Sequence, residues 1–135
     1  MNISIQPDRL LVDIQKDFQA LFPFLKVEFY KDTHLSGEGT AGKERLDPHV
    51  AVGELSAHTL SFSWHVSPES TVSELESSFQ EKTGIGLQIF RKSGNNWLQT
   101  TTTDYKTLAE QNTRGEEMSH KTDLTEEPED YHEQE

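Results

Sequence analysis

The chain has 135 residues, room for one domain and a tail, with a net charge of −12, 32% hydrophobic residues and no cysteine. Without cysteine there are no disulfides and no thiolate metal sites. The negative balance argues against nucleic acid as the main partner, because affinity there comes from Lys and Arg neutralising phosphates.

Taken in chain order, the opening MNISIQPDRLLVDI has neither a basic n-region nor an apolar run of signal length, and no segment nears the ~18 apolar residues of a membrane span. The expectation is a cytoplasmic protein without membrane contact. Leu11, Ile14, Phe18 and Leu21 recur at helical spacing, widened by Leu10 and Phe22, with Pro7 and Asp8 suited to the first turn and Pro23 as the stop. This predicts an amphipathic helix over about residues 8 to 21. FLKVEFYK then alternates, with Leu25, Val27 and Phe29 on one face and Lys26, Glu28 and Tyr30 on the other, as in a half-buried strand.

Residues 32–57, rich in Gly, His and charge, read as a long loop with a short edge strand around HVAV. TLSFSWHV alternates again, placing Leu60, Phe62, Trp64 and Val66 on one face and Ser61, Ser63 and His65 on the other. In SPESTVSELESSFQEKTG, Thr71 and Glu74 make a capping box, Val72, Leu75 and Phe79 an apolar stripe, and Gly84 a left-handed close. IGLQIFRK is a strand with Ile85, Leu87 and Ile89 inward, SGNN is hairpin chemistry, WLQTTT returns, and DYKTLAEQN reads as a turn with a short helical segment.

From Thr113 to Glu135 the chain carries nine acids and two bases, a balance of −7. Met118, Leu124 and Tyr131 are its sizeable apolar residues, too few to offset the entropy of ordering it. Residues 113–135 are therefore expected to be a disordered acidic tail behind a single domain at 1–112.

Thr71, Val72, Leu75, Phe79, Gly84 and Ile85, followed by the Thr-Leu turn of TLAEQN from Thr107 to Asn112, resemble the helix and late turn of ubiquitin-like proteins. The resemblance covers residues 60 to 112 and implies an α+β, β-grasp fold: a four-stranded mixed sheet crossed by one helix, with the WLQTTT strand central and the N-terminal amphipathic helix an addition typical of a divergent, bacterial-type relative. It is nearly silent on function. A chain ending YHEQE lacks the Gly-Gly through which ubiquitin and sulfur carriers act, so neither conjugation nor thiocarboxylate chemistry is expected.

GEGTAGKE, Gly37 to Glu44, contains both G-x-G-x-x-G and G-x-x-x-x-G-K. A phosphate cradle needs a hydroxyl where Glu44 stands and a helix where Asp47-Pro48 follows, and a dinucleotide fingerprint needs a βαβ frame that is missing. The stretch reads as a flexible loop. His34, His49, His58 and His65 show no tight ligand spacing, and no nucleophile or paired-carboxylate set is legible, so neither metal, cofactor nor catalytic residue is expected.

The outer sheet face carries the functional expectation. If the inward residues pack on the Val72/Leu75/Phe79 stripe, then Tyr30, His65, Phe90 and Trp97 share the opposite face, and Phe90 resembles the place where ubiquitin presents an isoleucine to partners. Clustered aromatics there would form a protein-binding surface. The competing expectation, favoured by the layer argument, is that the first helix covers this face; a homodimer through the helix or sheet is the third. The sequence thus predicts a non-catalytic interaction module or adaptor, monomeric or homodimeric, with an unknown protein partner. The alternative is a small enzyme or ligand-binding protein using the loop 32–57.

Overall fold

A computed structural model describes residues 1–31, 45–55 and 61–120, His120 by its backbone only. Among the described residues the fold is mixed α+β with two antiparallel sheets, of two and three strands, and four α-helices. The element order is β1 (Asn2–Ile5), α1 (Leu11–Leu21), β2 (Leu25–Tyr30), α2 (Val52–Leu55), β3 (Phe62–His65), α3 (Val72–Thr83), β4 (Gly86–Ser93), β5 (Asn96–Gln99), a 3-10 turn at Thr101–Thr103 and α4 (Leu108–His120). GEGTAGKE, His34, His58 and Leu60 lie outside the described residues.

The expected single four-stranded mixed sheet is not what forms. β3 pairs with β1, Trp64 opposite Ile3 and Phe62 opposite Ile5, while β2, β4 and β5 make a separate antiparallel sheet with β4 in the centre. The reason lies on the free edge of β2. There the Val27 carbonyl accepts from Gln15 Nε2 at 2.9 Å and the Phe29 carbonyl from the Leu46 amide at 2.8 Å, which caps the positions a further strand would use. The WLQTTT strand is not central either. Gly94, with φ 60°, and Asn95 turn β4 into β5, which ends at Gln99 as the edge strand before the chain tightens into the 3-10 turn. β1 comes in addition to the expected elements, and the Ile3/Ile5 alternation that buries both residues is its signature.

Helix α1 starts at Leu11 rather than Asp8, because Pro7 to Leu10 are engaged elsewhere. Their carbonyls accept from Gly53 (Pro7, 2.8 Å) and Val52 (Arg9, 2.9 Å), and Leu10 bridges Ala51. The orphan amides of Leu11 and Val12 then donate to the Val50 and Pro48 carbonyls, so the helix needs no side-chain cap. In place of an edge strand around HVAV there is this one bridge and the single turn of α2.

Helix α3 carries the expected capping box, Thr71 Oγ1 accepting from the Glu74 amide at 3.1 Å and Glu74 Oε1 from the Thr71 amide at 3.0 Å, and closes on Gly84 at φ 77°. Thr107 and Glu110 repeat that box at the start of α4. The two helix starts are tied by reciprocal backbone bonds, Val72 to the Lys106 carbonyl at 3.0 Å and Leu108 to the Ser70 carbonyl at 2.9 Å.

An aromatic column unites the sheets. Phe18 of α1 stacks on Trp64 of β3 at 6.3 Å, Trp64 meets Phe79 of α3 at 4.8 Å, and Phe79 meets Phe29 of β2 at 5.5 Å. Leu11 and Ile14 join the same core, so the first helix does not cover the Phe90/Trp97 face: its apolar stripe lies on the opposite side of the β2–β4–β5 sheet, with Val27, Phe29 and Ile89.

Residues 113–120, expected within a disordered tail, are the second half of α4. Met118 is 1% exposed, and Gly115 seats the helix against Phe24 and Arg91. A Cβ at position 115 would stand 2.8 Å from Phe24 Cβ, 3.0 Å from the Phe24 carbonyl oxygen and 3.3 Å from Arg91 Cγ. Gly→Ala inside a helix ordinarily stabilises by about 1 kcal/mol. Gly115→Ala is predicted to reverse that sign and destabilise by about 1–3 kcal/mol through overpacking, read as a lowered urea midpoint at constant slope.

Candidate functional site

The strand register decides which side chains share the outer face of the three-stranded sheet. Lys26 pairs with Phe90 and Phe90 with Gln99, while Lys92 pairs with Trp97, so these five residues occupy adjacent rows of one face. Lys26 Nζ lies 5.6 Å from the centroid of Phe90 and 5.0 Å from that of Trp97, and Lys92 Nζ lies 5.3 Å from the same indole. Two ammonium groups therefore lie against the ring of a partly exposed Trp97, within the ~6 Å range of cation–π attraction. Phe90 beneath them is buried at 7% exposed, and Glu28 Oε2 sits 3.4 Å from Lys26 Nζ at the margin.

Of the four residues predicted for this face, Phe90 and Trp97 come together and the other two do not join them. Tyr30 shares the parity of Lys26 on β2, yet it is 4% exposed and lies at the far end of the strand opposite Gly86. His65 stands on β3, in the other sheet, exposed, with Nδ1 3.1 Å from Asn2 Oδ1. The expectation of one sheet holding both β2 and β3 is what put His65 on this face, and the two strands lie in different sheets. Lys26 and Lys92 are the residues that sequence reasoning left out; their parity was visible, but their meeting over Trp97 depends on a register that the sequence does not print.

Tyr30 belongs instead to a cleft of about 490 Å³, lined with it by Lys31, Leu46, Leu55, Gly84 and Ile85. The described ends of the long connection after β2 meet here, at the C-terminal end of α3. An apolar floor with Lys31 and Glu54 among its lining residues has the size and mixed character of a small-molecule site. Among the described residues there is no group of three or more His, Cys, Asp or Glu side chains that could hold a metal, and no helix long and apolar enough to cross a membrane.

One buried acid lies on the packing stripe of α3, where an aliphatic residue would be expected. Glu76 is 7% exposed, and its Oε2 accepts from the Ile89 amide at 3.1 Å. Its place in the fold explains it. β5 leaves β4 at Gln99, and Thr100 is the last residue to bond Ile89, through its amide at 3.3 Å and its hydroxyl at 2.9 Å to the carbonyl. The Ile89 amide then has no strand partner, and the carboxyl of Glu76 fills the gap. Burial pushes the Glu76 carboxyl up to about 8 against the pull of the Ile89 N–H, and the nearby Asp104 carboxylate pushes the same way. Burial likewise raises Asp104. At neutral pH the group is a protonated structural acceptor.

The chain was compared with protein-family models, curated proteins and solved structures, and none of the three comparisons gave a match.

Proposed function

We propose that this chain is a non-catalytic protein-interaction module that binds through the β2–β4–β5 face centred on Trp97. The observation that carries the proposal is the partly exposed indole with two ammonium groups against its ring, on a face turned away from the aromatic core. A partly exposed aromatic with rigid neighbours loses little conformational freedom on docking and supplies large contact area, the profile of an interface hot spot. Absence of cysteine agrees with a reducing, cytoplasmic setting. The ubiquitin-like kinship we attach to this reading rests on the α3 pattern from Thr71 to Ile85 and the Thr107-Leu108 turn, and the split, wholly antiparallel sheets are departures from that superfold.

Trp97→Ala is expected to weaken retention of a bound protein by about thirtyfold or more, the loss of a ~2 kcal/mol hot spot. The melting temperature should move little, because the indole is not fully buried. Equal retention by the variant and the wild type in a quantitative capture assay would remove the proposal. Phe90→Ala is the weaker probe, since truncating a buried ring also unsettles the sheet.

The cleft at Tyr30, Leu46 and Leu55 supports a second reading, a small-ligand binder. Under it, Leu55→Trp would abolish ligand-induced thermal stabilisation, while Trp97→Ala would leave it intact.

A further inference from the structure

Building on the assignment of the Trp97 face as the interaction surface, we infer that its partner is an extended acidic peptide segment, its carboxylates on Lys26 and Lys92 and an apolar side chain between them on the indole. Three observations converge. The chain carries −12 overall, yet this patch presents two ammonium groups around one aromatic ring, with Glu28 as the acid on its margin. Both lysines lie over the indole instead of extending into water, so little rotamer freedom remains to be lost when an anion arrives. And β5, four residues long, is the edge strand of its sheet among the described residues, the position at which an extended segment adds alongside Trp97.

Charge complementarity separates this occupant from the others. A second copy docking symmetrically through the same patch would set Lys26 and Lys92 against their own twins, a like-charge contact. A neutral segment would cover both ammonium groups and bring an anion to neither. An acidic one forms charge-assisted hydrogen bonds with both, and the negative remainder of the chain turns the same peptide away elsewhere.

The test is a titration of the full chain, followed through its two tryptophan indole N–H resonances, with a synthetic peptide of Glu, Asp and Leu and with its Gln/Asn counterpart. Trp97 should shift with the acidic peptide, while Trp64, 1% exposed, stays in place as the internal control. The double variant Lys26→Gln/Lys92→Gln should weaken binding by about tenfold or more. Glu28→Gln, which frees Lys26 from its 3.4 Å neighbour, should strengthen it severalfold, a gain that no unfolding artefact can mimic. Raising the salt from about 0.05 to 0.5 M should weaken binding as well.

An equal Trp97 shift with the Gln/Asn peptide overturns the acidic partner while leaving the interaction face in place. A concentration-dependent shift without peptide overturns it in favour of a second copy, and a stronger response to a single-stranded oligonucleotide overturns it in favour of a polyphosphate. No shift with any probe overturns it too, and the interaction face itself then stands or falls by the capture assay with Trp97→Ala.

Discussion

Glu76→Gln raises the thermal midpoint at pH 9 by on the order of 10 °C and leaves it nearly unchanged at pH 5. The sign follows from which state holds the proton. Folding lifts the Glu76 carboxyl from its ordinary 4.5 to about 8, so between those values the folded chain keeps a proton that the unfolded chain has released. Stability then falls as pH rises through that window and levels off above the folded value. At ~1.4 kcal/mol per pH unit the loss across the window from 4.5 to about 8 approaches about 5 kcal/mol, an upper figure because a rearranging site relieves part of it. That corresponds to roughly 10–20 °C for a domain of this size. The amide of Gln is the neutral isostere: its oxygen still accepts from Ile89, and there is no charge to bury. Glu76→Ala separates the roles, because it leaves the Ile89 amide without its acceptor and opens a void, destabilising by about 2–4 kcal/mol relative to Glu76→Gln at every pH. Asp104, raised in the same direction, leaves the Gln variant a smaller residual slope. Coincident pH profiles for wild type and Glu76→Gln, measured by calorimetry from pH 5 to 9, would show that the carboxyl is not buried as described.

What could be read in the sequence follows from what is local. The capping box at Thr71/Glu74, the left-handed close at Gly84, the turn at Gly94-Asn95 and the inward parity of Leu25, Val27, Phe29, Leu87 and Ile89 each depend on residues within a few positions, and each is present. Pairing between distant strands has no such signal. β3 alternates as an edge strand would, and nothing in FSWH says that NISI is its mate or that Gln15 and Leu46 occupy the β2 edge. The functional expectation inherited that gap. With β3 in one sheet with β2, His65 falls onto the Trp97 face; without β1, α1 has only the aromatic face as a layer to cover. In the sequence Glu76 looks like helix surface charge, the usual occupant of an exposed helix position, and its burial arises only from where β5 stops.

The boundary expected at Asn112 falls inside α4 (Leu108–His120), and the reason is one of composition. TRGEEMSH reads as acidic and polar, with one apolar anchor, and an isolated stretch of that kind would not order itself. It is instead the continuation of a helix whose start is fixed by the Thr107/Glu110 capping box, whose middle is fixed by Asn112 Oδ1 accepting from the Phe24 amide at 2.9 Å, and whose far turn buries Met118. Propagating an existing helix adds one hydrogen bond per residue fixed, without a new nucleation penalty, so a single buried anchor suffices. Gly115 permits the close approach to Phe24 that brings Met118 into the protein. A chain ended at Asn112 therefore loses a buried methionine and the cover over Arg91, itself 1% exposed, and should be destabilised by about 5 kcal/mol, enough to abolish cooperative unfolding in a domain of ordinary stability. A chain ended after His120 keeps both. Met118→Ala isolates the anchor at about 2–5 kcal/mol, and Met118→Leu, which conserves volume, should lie within ~1.5 kcal/mol of wild type. If the chain ended at Asn112 unfolds at the same denaturant midpoint as the one ended at His120, the second half of α4 adds nothing to the fold and the domain does end where its composition suggested.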